Sequence, residues 1–348
     1  MTTDPETRRT RLIEDAYRIA DDVLFPAASD VDRTGEIPSS HWTAIAEAGL
    51  FGIAAPEESG GPGLDFAHVI EIMEVMASGC LTTAFTWLQH HGVVITLTGT
   101  SNDTLRDELF EATAAGRLRA GVAYAGVVPT PPRMRATRIP GGWRFDGQAP
   151  FVSGWGIVDL LQISARDVDT DDVLAAVIPL APAPAAITVT PLHLSVADGT
   201  RTVALAVENL VIPDDRVVSR VSLDDFFASQ NIGVRINGTL PLGLLRRCAA
   251  LLDISGHTPA ARALRERGSA VRARLDSGVT DADTLISARA DGAQLALEAA
   301  AALIAADGGR GLLRGNHPER LAREAAFTLV AASRPQLKDL LVERFSEG

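Results

Sequence analysis

Over residues 6–25 apolar side chains recur every three or four positions, at Leu12, Ala16, Ile19, Ala20 and Val23, which lays one apolar stripe along an α-helix. Pro26 is expected to end that helix, since proline lacks the amide a helix interior needs. Ser39, after Pro38, reads as the N-cap of a second helix that carries Trp42, Ile45 and Ala46 inward until Gly49. A loop at 56–63 follows, and helical periodicity resumes at 65–78, 81–98 and 103–115, the last with Ser101 or Asn102 as cap. The first third is expected to be all helix.

Near Arg117 the pattern shortens. Runs at 121–125, 143–145, 160–163, 173–178, 187–190 and 203–211 read as strands, punctuated by glycine and proline at 129–132, 141–142 and 179–184. They predict a small β sandwich or barrel. After Pro213 the helical period returns, over 223–252, over 260–275 with Ala261, Leu264, Gly268, Val271 and Leu275 aligned, and from an N-cap at Thr280 to Ala306. On that last helix Ile286, Ala290, Ala293, Leu297, Ala300 and Ile304 are expected to share the inner face, and further helices follow from His317 to the end. These long helices predict an antiparallel bundle. The chain is thus mainly α with a central β domain, divided as an N-terminal helical domain 1–117, a middle β domain 118–215 and a C-terminal helical bundle 216–348.

Composition narrows the function. With 348 residues, 46% of them hydrophobic, the chain can bury a large core. A net charge of −12 gives phosphate backbones and anionic membranes no broad attraction, so neither nucleic acid nor membrane is an expected partner. Two cysteines, Cys80 and Cys248, make no disulfide framework and no multi-cysteine metal site, so no metal is expected. No secretory h-region is seen at the N-terminus and no run of about 18 apolar residues occurs. A cytoplasmic, soluble protein is expected.

Several strings, in order and at suitable intervals over about residues 40–325, resemble the acyl-CoA dehydrogenase family. They are Pro56-Glu57-Glu58-Ser59-Gly60-Gly61-Pro62-Gly63, then Gly141 to Gly154 ending Phe151-Val152-Ser153-Gly154, the strand 203–211 with its exit through Pro213 to Arg216, and Asp307-Gly308-Gly309-Arg310-Gly311 followed by His317-Pro318-Glu319-Arg320-Leu321-Ala322-Arg323-Glu324-Ala325. The resemblance implies an oxidoreductase of lipid metabolism that acts on the CH–CH bond of an acyl-CoA or similar acyl thioester with FAD. It also implies assembly as a homodimer, homotetramer or heteromer with a related subunit. By the same resemblance Phe151 holds the aromatic position and Ser153 the hydroxyl position beside flavin N5. Ala123 and Tyr124 stand where backbone meets the ring, although the Glu-Pro and Gly-Ser that follow in the family are missing after Tyr124. Gly308 and Gly309 match the turn that meets FAD across a subunit interface, Trp87 with Phe85 and Leu88 the floor of the acyl pocket, and Arg235 an arginine near the substrate.

The family keeps its catalytic Glu in one of two places, here near Ala332 or near Gly233. No Asp or Glu occurs from 325 to 338 or from 226 to 252, so the absence does not depend on register. A positioned base is worth roughly 10²- to 10⁴-fold in rate, so the catalytic residue is unassigned. Asp307, Glu298, Asp225 and His90 or His91 are the substitutes to weigh, each with an ordinary structural reading as cap, solvated residue or packed ring. The Arg-rich segment with Arg262, Arg265, Arg267, Arg272 and Arg274 fits phosphate contacts or a solvated helix face. Three readings stay open: an FAD enzyme with an unusual base, a non-catalytic or half-active subunit of a heteromeric complex, and a flavin oxidase or monooxygenase on a non-CoA substrate.

Overall fold

The opening helices form, but Pro26 does not separate them. In the computed structural model, which describes residues 4–332, 334–344 and 346, α1 (Pro5–Arg18) passes through a π-helical turn, Ile19–Leu24, straight into α2 (Phe25–Thr34). Pro26 falls in the first turn of α2, where a missing amide costs little. The wider turn, closed by the Phe25 amide on the Ala20 carbonyl, keeps Ala16, Ile19, Ala20, Leu24, Ala28 and Val31 all in the core. Four more helices complete the N-terminal part, α3 (Ser39–Glu47), α4 (Phe66–Gly79), α5 (Leu81–Gly99) and α6 (Asp103–Ala114). Ser39 is the first residue of α3 rather than its cap. Asp65 and Asn102 do cap α4 and α6, accepting from the amides of His68 and Leu105. The 56–63 loop is a turn with steric demands: Gly60 and Gly63 have φ of 83° and 65°, and a Cβ on Gly61 would lie 2.1 Å from the Ala55 carbonyl oxygen.

Eight strands follow, β1 (Ala120–Ala123), β2 (Met134–Ile139), β3 (Gly142–Val152), β4 (Leu160–Asp167), β5 (Val173–Pro179), β6 (Ile187–Pro191), β7 (Val203–Pro213) and β8 (Val217–Val221). They form one mixed sheet in the order β6-β7-β3-β2-β4-β5-β8, with β1 parallel to β4. β2 and β8 carry too short an alternation to stand out in the sequence, and β8, paired to β5, takes the sheet to Val221, past the 118–215 span. The sheet curls, since Ile187 and Leu205 from one end share a core with Ile163 and Leu174 near the other. β5 is buried on both faces: Leu174, Ala176 and Ile178 fill that core, while Ala175 and Val177 meet Val93 and Leu97 of α5. That explains its unbroken apolar run.

The C-terminal part consists of α7 (Leu223–Asn237), α8 (Thr239–Ile254), α9 (Thr258–Ser277), α10 (Ala282–Asp307), α11 (His317–Thr328) and α12 (Pro335–Glu343). The expected single helix over 223–252 is two, because Pro241 has no amide for the Asn237 carbonyl. α10 is capped by Asp281, not Thr280, and its buried face runs through Leu285, Ala288, Arg289, Gly292, Ala296, Ala299 and Leu303. Of the expected stripe Ile286, Leu297 and Ile304 are only half-buried. Ala290, Ala293 and Ala300 of that stripe are fully buried, and the buried face of α10 is wider than the stripe, taking in Arg289 as well. Residues 347 and 348, where the last helix was expected to continue, lie outside the described residues. N-terminal and C-terminal helices share one large core, from Leu12 through Trp87 to Leu303 and Leu321.

Candidate functional site

The ends of β1 and β3 lie side by side, and the sequence makes them do so with glycine. A Cβ on Gly121 would stand 3.4 Å from the Ser153 carbonyl oxygen, and one on Gly126 only 2.4 Å from that of Gln148. β1 pairs with β4 alone among the strands. Ala123 points its methyl into the β core, so only its backbone is available to a ligand. Tyr124 packs beside Val127, Val173 and Phe226, and burial pushes its hydroxyl above the usual tyrosine range. At the end of β3, Phe151 is 70% exposed and holds φ at 54°, a left-handed conformation that costs a non-glycine residue about 1–2 kcal/mol. The positive φ falls at the register shift between Ala149 and Val152 in the pairing of β3 with β7. Two residues on, buried Ser153 begins a chain of hydroxyls, with Oγ 2.7 Å from Thr202 Oγ1 and Thr202 Oγ1 2.8 Å from Thr200 Oγ1. Three hydroxyls share two hydrogen bonds, so one proton is left for another acceptor.

On the bundle side a cavity of about 10 Å³, room for one water, is lined by Val234 and Asn237 of α7, Ile286 and Arg289 of α10, Ala332 and Arg334 of the α11–α12 turn, and Leu337 of α12. Val234 adjoins Gly233. The two sequence windows singled out for lacking a carboxylate therefore meet in one place. What they enclose is cationic: Arg289 is 1% exposed and burial lowers its pKa to about 10, while Arg334 is likewise lowered by burial. Ala332 adopts φ of 49°.

The remaining sequence-named residues are spread apart. Trp87 lies in the helical core with its ring edge-on to His91, 4.5 Å between centroids. His90 accepts the Ala120 amide at Nδ1 (3.0 Å) and donates from Nε2 to the Thr113 carbonyl (3.1 Å), so its lone pair is occupied. Burial lowers its pKa to about 3, and burial with His90 alongside pushes His91 well below the usual histidine value. Among the carboxylates, Asp307 pairs with Arg310, Glu298 with Arg267, and Asp225 accepts from Ser222. Arg235 is fully buried and donates to Asp276 at 2.7 Å, against α9. Along α9 itself Arg265, Arg267, Arg272 and Arg274 pair with Asp253, Glu298, Glu74 and Asp291. Gly308 and Gly309 are exposed after α10, with open space where a Cβ would go.

Sequence reasoning passed over Arg289, Arg334 and Asn237. The usable signal for the first was a lone charge between Ala288 and Ala290, both buried, on a helix whose buried face is wider than the expected stripe. A surface depression of about 840 Å³ lies elsewhere: an open groove around Trp143, Arg138, Asp214 and Arg220 on the β domain, far in character from a buried reaction site.

Residues 7–117 match the family model described as acyl-CoA dehydrogenase, N-terminal domain. Over 95% of its length the chain is 22% identical to a mitochondrial 2-methylacyl-CoA dehydrogenase of Solanum tuberosum, of which it covers 88%. A solved glutaryl-coenzyme A dehydrogenase in complex with glutaryl-CoA is similar with TM-score 0.82 at 15% identity, over 98% of this chain and 95% of that one. PigA with FAD and proline gives TM-score 0.78 at 17% identity over 99% of each chain. The two structural likenesses are of fold.

Proposed function

From the premise that the chain belongs to the acyl-CoA dehydrogenase family, we propose that it is an FAD-dependent oxidoreductase acting on an acyl-CoA or similar acyl thioester without the family's carboxylate base. The observation that carries this reading is the meeting of Val234, next to Gly233, with Ala332 in one cavity. Two segments about a hundred residues apart in sequence come together where the family's reaction site is expected, and the cavity they form holds no carboxylate among the described residues.

The flavin ring fits this chain better than the pyrophosphate does. Phe151 offers an exposed aromatic face, the backbone of Ala123 and Tyr124 an edge, and Ser153 a hydroxyl at one end of the Ser153–Thr202–Thr200 chain. Beyond Tyr124 the segment 125–129 turns through buried Val127 and carries no side chain suited to phosphate. Gly308 and Gly309 then serve the FAD of a neighbouring subunit, which makes the working form a homo-oligomer or a heteromer. FAD, when bound, supplies the hydride acceptor. Phe151 would cover one face of the ring against water, and Ser153 would donate to its edge and hold its orientation. Removal of the α proton falls to no carboxylate of this cavity. That absence favours a second reading, in which a related subunit supplies the base.

Titration of the purified protein with FAD, followed by anaerobic addition of acyl-CoAs, tests both readings. Uptake of FAD with slow or absent reduction is expected. Gly233→Glu, at a position with open space for a side chain, should raise acyl-CoA-dependent flavin reduction by roughly 10²- to 10⁴-fold. Protein that refuses FAD defeats the proposal. Rapid reduction by the unaltered chain alone defeats the heteromer reading, and oxygen uptake without an enoyl product would turn the assignment to an oxidase.

A further inference from the structure

A guanidinium taken out of water needs an anion or a full set of acceptors, because its uncompensated burial costs several kcal/mol. Arg289 has neither. Its Nη2 donates to the Thr328 carbonyl at 2.7 Å and lies 3.5 Å from that of Ala331, while Nη1 is buried with no partner among the described residues. Among the described residues no carboxylate pairs with it, nor with Arg334, which burial likewise disfavours as a cation. Both arginines line the same cavity, whose other walls are Val234, Ile286, Ala332 and Leu337, with Asn237 holding its amide to the Gly233 carbonyl at 2.7 Å.

Capping the end of α11 explains Nη2, since cations suit helix C-termini. It explains neither the orphaned Nη1 nor the second arginine. We propose that Arg289 and Arg334 form a binding site for a carboxylate carried by the substrate close to its reacting carbons, in the place where the family otherwise keeps a carboxylate of the protein. One oxygen of a carboxylate fills a space the size of a water and accepts from the free Nη1, a charge-assisted hydrogen bond. A phosphate, with more oxygens to seat, does not fit that space. The apolar walls leave the anion no other partner, so a neutral acyl group would leave Nη1 unsatisfied and bind less well. The assignment of the carboxylate to the substrate rests on the reading of this cavity as the reaction site. Carboxylate binding itself does not.

The test therefore has two arms. In the first, acetate and malonate are added to the full chain at constant ionic strength, with neutral acetamide as control, and the melting temperature and binding heat are followed. The carboxylates should stabilise and acetamide should not. Arg334→Gln, in a half-buried side chain at the start of α12, should weaken carboxylate binding about tenfold or more, and Arg289→Lys, which keeps the charge but loses the free Nη1, should weaken it as well. Equal effects of acetate and acetamide, or unchanged carboxylate binding in Arg334→Gln, overturn the site whether or not Arg289→Lys folds. In the second arm the FAD-loaded chain is offered a 2-carboxyacyl-CoA and the matching unsubstituted acyl-CoA. Tighter binding of the first by about tenfold, lost in Arg334→Gln, is expected; equal binding overturns the substrate assignment. A chain that takes up no FAD would defeat the proposed function yet still report on the carboxylate site through the first arm.

Discussion

His41, His90 and His91 are all at most 1% exposed, and each is held neutral by burial, with pKa lowered to about 4 for His41, to about 3 for His90 and further below the usual value for His91. His41 is tied to Thr83 at 2.9 Å and His90 to two backbone groups. In the unfolded chain each takes a proton near its ordinary value of about 6.5. Between that value and the lowered one the unfolded state binds more protons, so stability is complete above about pH 6.5 and lost as the pH falls toward 4. Each ring contributes up to about 1.4 kcal/mol per pH unit in that window. Urea midpoints measured from about pH 7.5 down to 5 should therefore fall; a flat profile would mean that these rings are protonated in the fold. Hydrogen bonding and burial argue against both rings as the base, since both nitrogens of His90 are engaged with backbone groups and His91 is fully buried.

Helix packing depends on small residues at the crossings. A Cβ on Gly243 of α8 would lie 2.6 Å from the Glu74 carbonyl oxygen and 2.7 Å from the Ala77 methyl of α4. Gly243→Ala gains about 1 kcal/mol of helix propensity, but the clash is with backbone that cannot move aside. Overpacking costs typically 1–3 kcal/mol, so a net loss of up to about 2 kcal/mol in denaturant unfolding is expected. Stability equal to or above that of the unaltered chain would show that the two helices can part. Similar reasoning accounts for Gly79, where a Cβ would come within 2.8 Å of the Ala20 carbonyl and of Leu24 in the π turn. Most helices were legible as elements, since apolar spacing and caps such as Asp65 and Asn102 are local. The π turn, β2, β8 and the break before Pro241 were not, because each is settled by what lies across from it.

Arg323 joins three parts of the molecule. It pairs with Asp32 of α2 through two contacts of 2.8 and 2.6 Å, with Glu319 at 2.9 Å, and with the Ser195 carbonyl between β6 and β7 at 3.3 Å. At a side chain 35% exposed, solvent screening trims each charged contact, so Arg323→Ala should cost about 1–2 kcal/mol, and Arg323→Lys should recover less than half because lysine cannot grip a carboxylate bidentately. An unchanged unfolding midpoint in Arg323→Ala would remove this tie from the account. At this scale the sequence by itself determined the element types, the helix–sheet–helix order and the lack of a carboxylate at 226–252 and 325–338, because composition and short-range periodicity are properties of the chain alone. Only the tertiary structure decided that those two windows face each other, and that an arginine on the wide buried face of α10 joins Arg334 there. A helix rotates by about 100° per residue, so which side chain enters a cavity is fixed by the packing of whole helices and by no local pattern.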